Sequence, residues 1–135
     1  MEIDLSTGTA PSPERTLQLA EALAELARVL CHQTRHHEAL RYPAEAHRVI
    51  QELSLAASRL PQLSRQVAVW LSTEYEEGRI ALDGGGSDQE AAYAVLGAGG
   101  RLESASEYAT LLHKALDRAA GITSRMEAAE GSGDA

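Results

Sequence analysis

Residues 87–126 read SDQEAAYAVLGAGGRLESASEYATLLHKALDRAAGITSRM. Whether this stretch is one helix or two decides the fold. Ser87-Asp88-Gln89-Glu90 is a capping box: a Ser hydroxyl and a Glu carboxylate three residues apart satisfy orphan amides at a helix start. Gly97, Gly99 and Gly100 then sit in the middle, where each interior glycine costs about 1 kcal/mol relative to alanine. The apolar positions nevertheless keep phase. Ala91, Val95, Ala98, Leu102, Ala105, Ala109, Leu112, Leu116 and Ala119 recur at four-three spacing across the glycines. A loop would lose that register, so one long helix is expected from about Ser87 to Met126, with any kink at Gly99-Gly100.

Upstream, Ser12, Pro13 and Glu14 signal another helix start. Leu19, Leu23, Leu26 and Leu30 follow on one face, opposite Glu21, Glu25, Arg28, His32 and Arg35. Tyr42-Pro43 ends this helix, because the residue before a proline is pushed out of helical space. Pro43 opens a second helix, with Ala46, Val49, Ile50, Leu53, Ala56, Ala57 and Leu60 on one side. Leu60-Pro61 is expected to break the chain again, and a third helix then buries Leu63, Val67, Trp70 and Leu71. Glu74 to Gly78 closes it, followed by a glycine-rich loop at Asp83 to Gly86.

These elements predict an all-α fold: an antiparallel up-down four-helix bundle with a long C-terminal helix, spanning 13–127 between flexible tails at 1–12 and 128–135. At about 1.5 Å per residue the last helix overhangs its shorter neighbours. A second copy of the chain is the expected cover, through Leu102, Ala105, Ala109, Leu112 and Leu116, which makes a homodimer the default.

Composition narrows the function. The single cysteine, Cys31, excludes an internal disulfide and suits a reducing cytoplasmic setting. No apolar run approaches the roughly 18 residues that cross a bilayer, and the first residues lack the apolar block of a signal peptide, so no membrane partner is expected. A formal charge of −8 argues against a general binder of nucleic acid.

One segment runs against that charge. Arg28 to Arg48 holds four of the five histidines and four arginines, against only Glu38 and Glu45. His32 and His36 have the i, i+4 spacing that lets two imidazoles share a metal, but no HExxH or CxxC accompanies them. Solvated or structural histidines are therefore expected, with no metal and no cofactor. Arg28, Arg35, Arg41 and Arg48 suggest a phosphate-binding face, yet no glycine-rich phosphate loop accompanies them. Cys31 lies on the apolar side of its helix, where a thiol behaves as a small hydrophobe, and no serine stands in a nucleophile elbow. An enzyme is not expected.

Tyr42-Pro43, Leu60-Pro61-Gln62-Leu63 and Trp70-Leu71 together form a pattern that resembles small alanine-rich helical proteins of actinomycetes with no assigned activity. The resemblance implies a helical fold and a cytoplasmic bacterial setting, and it carries no functional residues. The sequence thus points to a non-enzymatic interaction module that self-associates through its last helix. A nucleic-acid-associated regulator using the Arg28–Arg48 face, with His32 and His36, is the alternative. In the four-helix arrangement that segment would lie beside Glu74, Glu76, Glu77, Asp83, Asp88 and Glu90. Its arginines and histidines are then expected to form an electrostatic clasp sensitive to mild acid.

Overall fold

Each of the described α-helices begins where a side chain or a proline deals with the orphan amides of its first turn. The structure, a computed structural model, describes residues 2–130. Met1 and residues 131–135, the end of the expected C-terminal tail, lie outside the described residues. The chain divides into two units, one ending at Arg41 and the other beginning at Tyr42.

The first unit is built on α1, Pro13–Gln33. The Ser12 hydroxyl accepts from the Arg15 amide at 3.1 Å, and Pro13 occupies the first turn, where its missing N–H costs nothing. The residues before it fold back over this start. The Asp4 carboxylate accepts from the Ser6 amide at 2.8 Å and from the Thr9 hydroxyl at 3.0 Å. Arg15 Nη2 donates to the carbonyls of Asp4 and Ser6 at 2.9 and 2.7 Å. Ala22 is buried on the same helix.

The expected first helix is cut short: α1 stops at Gln33, well before Tyr42-Pro43. The Thr34 hydroxyl and amide both donate to the Leu30 carbonyl, closing the last turn. Thr34, His36 and His37 are weak helix formers with no apolar periodicity to hold them. A 3-10 turn at His37–Ala39 bridges to the second unit.

The second unit is a helical hairpin, α2 at Pro43–Glu76 and α3 at Asp88–Thr123. Here the sequence expectation is corrected. Leu60-Pro61 does not break the chain, and α2 runs through Pro61 as one 34-residue helix. The described chain therefore has three long helices rather than the four of an up-down bundle. Pro61 removes one amide from the ladder and leaves the Ala57 carbonyl without its usual donor, a cost of about 3 kcal/mol. Packing on either side holds the helix together, because the residues facing α3 keep four-three spacing through the proline: Ile50, Ser54, Ala57, Pro61, Ser64 and Ala68. The glycines do not interrupt α3 either.

The turn between the helices uses left-handed glycines, Gly78 at φ +74° and Gly84 and Gly85 near +86°. The Arg79 guanidinium donates to both Glu74 carboxylate oxygens, at 2.6 and 3.0 Å. The Ser87 hydroxyl accepts from the Glu90 amide, starting α3 at the expected capping box.

Small residues make up the buried seam. In the hairpin the buried side chains are Ser54 and Ala57 on α2, with Ala91, Ser106, Ala109 and Ala120 on α3. Two antiparallel helices that meet through Ala and Ser approach more closely than leucines would allow. Register is pinned by polar contacts. His113 Nδ1 lies 2.9 Å from both the carbonyl and the hydroxyl of Ser54. A carbonyl only accepts, so Nδ1 carries the proton. His47 Nδ1 lies 2.9 Å from the Thr123 hydroxyl, which itself donates back to Ala119 and Ala120. That imidazole also donates from Nδ1.

Seven residues on from Ser54 and seven back from His113 bring Pro61 level with Ser106. The Ser106 side chain is fully enclosed, and its hydroxyl has no hydrogen-bond partner. Restoring the ladder with Pro61→Ala should raise the unfolding free energy by about 1–3 kcal/mol. Ser106→Ala, which removes an unpaired buried hydroxyl, should change it by less than about 1 kcal/mol, whereas Ser106→Leu should lower it by about 1–3 kcal/mol through overpacking. Urea titration of the three variants checks this order.

Candidate functional site

The α3 stripe read from the sequence divides in the structure. Ala91, Val95, Ala98 and Leu102 lie on the seam, as the spacing suggests. After Leu102 the seam takes a second step of four, to Ser106, and continues through Ala109, His113, Leu116 and Ala120. Two successive steps of four absorb the drift between a 3.5-residue repeat and a 3.6-residue helix. Ala109 is therefore buried and Leu102 and Leu116 half-buried against α2, while Ala105 and Leu112 are exposed. A purely hydrophobic reading of the spacing chooses Leu112 over Ser106 for burial. The close helix contact does the reverse, and Leu112 is left 49% exposed.

That displacement builds a surface. Residues one position before each seam residue turn about 100° away from it. On α2 they are Ala46, Val49, Leu53, Ala56, Leu60, Leu63, Val67 and Trp70. On the second half of α3 they are Ala105, Tyr108, Leu112, Ala115, Ala119 and Ile122, continued just past the helix by Met126. Because the helices are antiparallel, stepping back by one on each rotates toward the same side of the hairpin. One flank is thus apolar across both helices. Trp70, expected as a core anchor, is 60% exposed on it, and Tyr108 is 69% exposed. The opposite flank carries Arg48, Gln51, Gln62 and Arg65 on α2, and Glu103, Glu107, Lys114 and Asp117 on α3. The clue available in the sequence was the three-four spacing from Ala46 to Trp70, which keeps its phase through Pro61.

The positive segment is arranged differently from the expectation. Arg28 Nε donates to Glu25 of its own helix at 3.0 Å, so its charge is met locally. This pairing holds the Glu25 carboxyl below its ordinary range and raises the guanidinium. The rings of His32 and His36 meet edge to face with centroids 5.5 Å apart. His36 sits beyond the helix end, on extended backbone. Among the described residues, no group of three or more His, Cys, Asp or Glu side chains is placed to hold a metal ion. Arg35 lies in the turn after α1 and Arg41 at the end of the first unit, whereas Arg48 belongs to the hairpin.

The expected clasp is corrected for the residues of the hairpin. His47 and Arg48 lie near the start of α2 and Glu74 near its end, a separation of about 40 Å along a continuous helix. Glu74 instead pairs with Arg79, and Tyr75 donates to Asp88 at 3.3 Å. Around α1, a groove of about 550 Å³ is lined by Ile3, Leu19 and Ala22 with the carboxylates of Glu2, Asp4, Glu21 and Glu25 and by Arg15. Arg15 is already committed to Asp4 and Ser6. No helix among the described residues is long and apolar enough to cross a membrane.

Three carboxyls are held below their ordinary range: Asp4 by the Ser6 amide and the Thr9 hydroxyl, Glu25 by Arg28, and Glu74 by Arg79. A depressed carboxyl stabilises the fold above its unfolded-state value and loses that contribution as pH falls through its folded-state value. The urea midpoint should therefore hold down to the carboxylate range and decline below it. Arg79→Met should shrink the acid-side decline, because Glu74 then titrates alike in both states. Asp4 is exposed, and Glu25 and Glu74 are half-buried in pairs at the surface, so each effect is small.

No protein family, curated protein or solved structure matches the chain.

Proposed function

We propose that this chain is a non-enzymatic protein-interaction module that works by self-association, and that the outer stripe of α3 is part of its contact surface. The observation that carries this reading is the apolar flank of the hairpin. Monomeric proteins rarely leave contiguous apolar patches above a few hundred Å² uncovered. Here Leu53, Leu63, Val67, Trp70, Tyr108 and Leu112 are all exposed on one side. Small side chains fill the seam and large ones remain for a partner.

The nucleic-acid alternative draws on Arg28, Arg35, Arg41 and Arg48. It has less support, because Arg28 is engaged by Glu25 and the four residues divide between two units. A formal charge of −8 opposes phosphate binding as well.

Sedimentation equilibrium of the full chain should show a concentration-dependent dimer that persists in 1 M salt, since salt screens ion pairs and leaves apolar contacts intact. Leu112→Asp should raise the dissociation constant at least about tenfold, the cost of burying an unpaired charge. A chain that stays monomeric and binds duplex DNA with a steep salt dependence would overturn this reading in favour of the alternative.

A further inference from the structure

We infer that the partner on the apolar flank is a second hairpin of this same chain, stacked so that α2 of each copy lies on α3 of the other around a two-fold axis parallel to the helices. The inference rests on the self-association reading and specifies its surface and geometry.

Size is the first argument. From Ala46 to Trp70 the flank runs roughly 35 Å at 1.5 Å per residue, and two helices side by side make it roughly 20 Å wide. That is roughly 700 Å² per copy, close to the roughly 800 Å² per partner of a standard stable interface. A single added helix, about 10–12 Å across, covers only half the width. A second hairpin covers all of it.

Shape is the second argument. The pairing of Ser54 with His113 fixes which residues of the two helices lie at the same level. Ala56 then stands level with Leu112, Leu53 with Ala115, Leu63 with Ala105 and Trp70 with Gly97, each within about one residue. Apart from Leu60 beside Tyr108, large residues on one helix thus lie beside small ones on the other. A two-fold axis parallel to the helices brings α2 of one copy over α3 of its mate at the same level, so Leu53, Leu63 and Trp70 each meet a small residue of the mate and Leu112 meets Ala56. An axis perpendicular to the helices would set α2 on α2 and lose this match. Arg101 is the one charged residue in the α3 share of the surface, and its aliphatic stem can lie along the interface with the guanidinium at the edge.

Gly97 supplies the third argument. A Cβ placed there meets nothing within 4 Å in its own chain. Packing within the chain gives no reason for glycine in the middle of a long helix, where it costs about 1 kcal/mol relative to alanine. A tryptophan arriving from a partner gives one.

The test uses the full chain with Cys31→Ser, so that introduced thiols are the only ones. Chains carrying Leu63→Cys and chains carrying Ala105→Cys are mixed and oxidised. The mixed disulfide dimer should form readily, and either chain alone should cross-link at least about tenfold more slowly. Gly97→Leu should leave helicity intact or increased while weakening the dimer at least about tenfold. A chain that dimerises but cross-links mainly Leu63→Cys to Leu63→Cys overturns this geometry and leaves self-association standing, as does a Gly97→Leu dimer of undiminished affinity. A chain that remains monomeric at about 100 μM overturns both.

Discussion

The contact between α2 and α3 through alanine and serine is the constraint on which the hairpin depends. Two helices separated by leucines keep their large side chains between them and present polar outer faces. Here Ala57, Ala109 and Ala120, with Ser54 and Ser106, occupy the centre. The backbones come close, and little volume remains for anything larger. Leucines and aromatics that would fill a conventional core are turned onto a flank. A small-residue seam buries little apolar area per residue, so at about 25 cal/mol per Å² it contributes little hydrophobic free energy. The flank holds most of what remains to be gained.

Such a seam is also poor at specifying register. Alanines slide past one another with little penalty, since each has the same shape as the next. The two imidazoles supply the missing specificity. His113 on Ser54 and His47 on Thr123 are hydrogen-bonded pairs that a one-turn slip would leave unmatched, with polar groups half-buried and unsatisfied. Of the histidines that first suggested a metal or an acid-sensitive clasp, His47 is structural, as is His113 outside that segment, and the rings of His32 and His36 meet edge to face at the end of α1. Level with Ser106, Pro61 adds a second irregularity to the same place in the hairpin, where Ala57 loses its amide donor. The defects are concentrated around Ser106, the most enclosed residue of the seam.

Much of the helical content was readable from caps and spacing. Ser12 with Pro13, Pro43, and Ser87 with Glu90 each mark a helix start within a residue, and the glycines of α3 were correctly outweighed by phase. The same test applied at Pro61 would have joined the second and third expected helices, because Ala46 to Trp70 keeps its spacing there. The steric rule for the residue before proline points the other way, but packing on both sides offsets its cost of about 3 kcal/mol. The division of the α3 stripe was less legible. Choosing Ser106 over Ala105 and Leu112 for the seam requires knowing how close the helices come, and that follows from both helices together. The charged cluster misled for a related reason: its expected acidic neighbours depended on four short helices, and one continuous α2 carries Glu74 away from Arg48.

The two flanks of the hairpin also decide how far association can go. An element apolar on both sides would stack without limit, since each added copy would expose a new sticky face. On this hairpin the side opposite Trp70 and Leu112 carries Arg48, Arg65, Glu103, Glu107, Lys114 and Asp117, with only scattered apolar residues such as Leu55 and Leu96. Desolvating those charges without partners costs far more than the few apolar contacts return. In the proposed assembly, stacking is therefore favourable on one side and opposed on the other, which would close it after two layers. The excess of acidic residues would act in the same direction, because pairs that each carry a large negative charge repel one another in solution. On that reading the polar flank is what limits the stoichiometry of the apolar one.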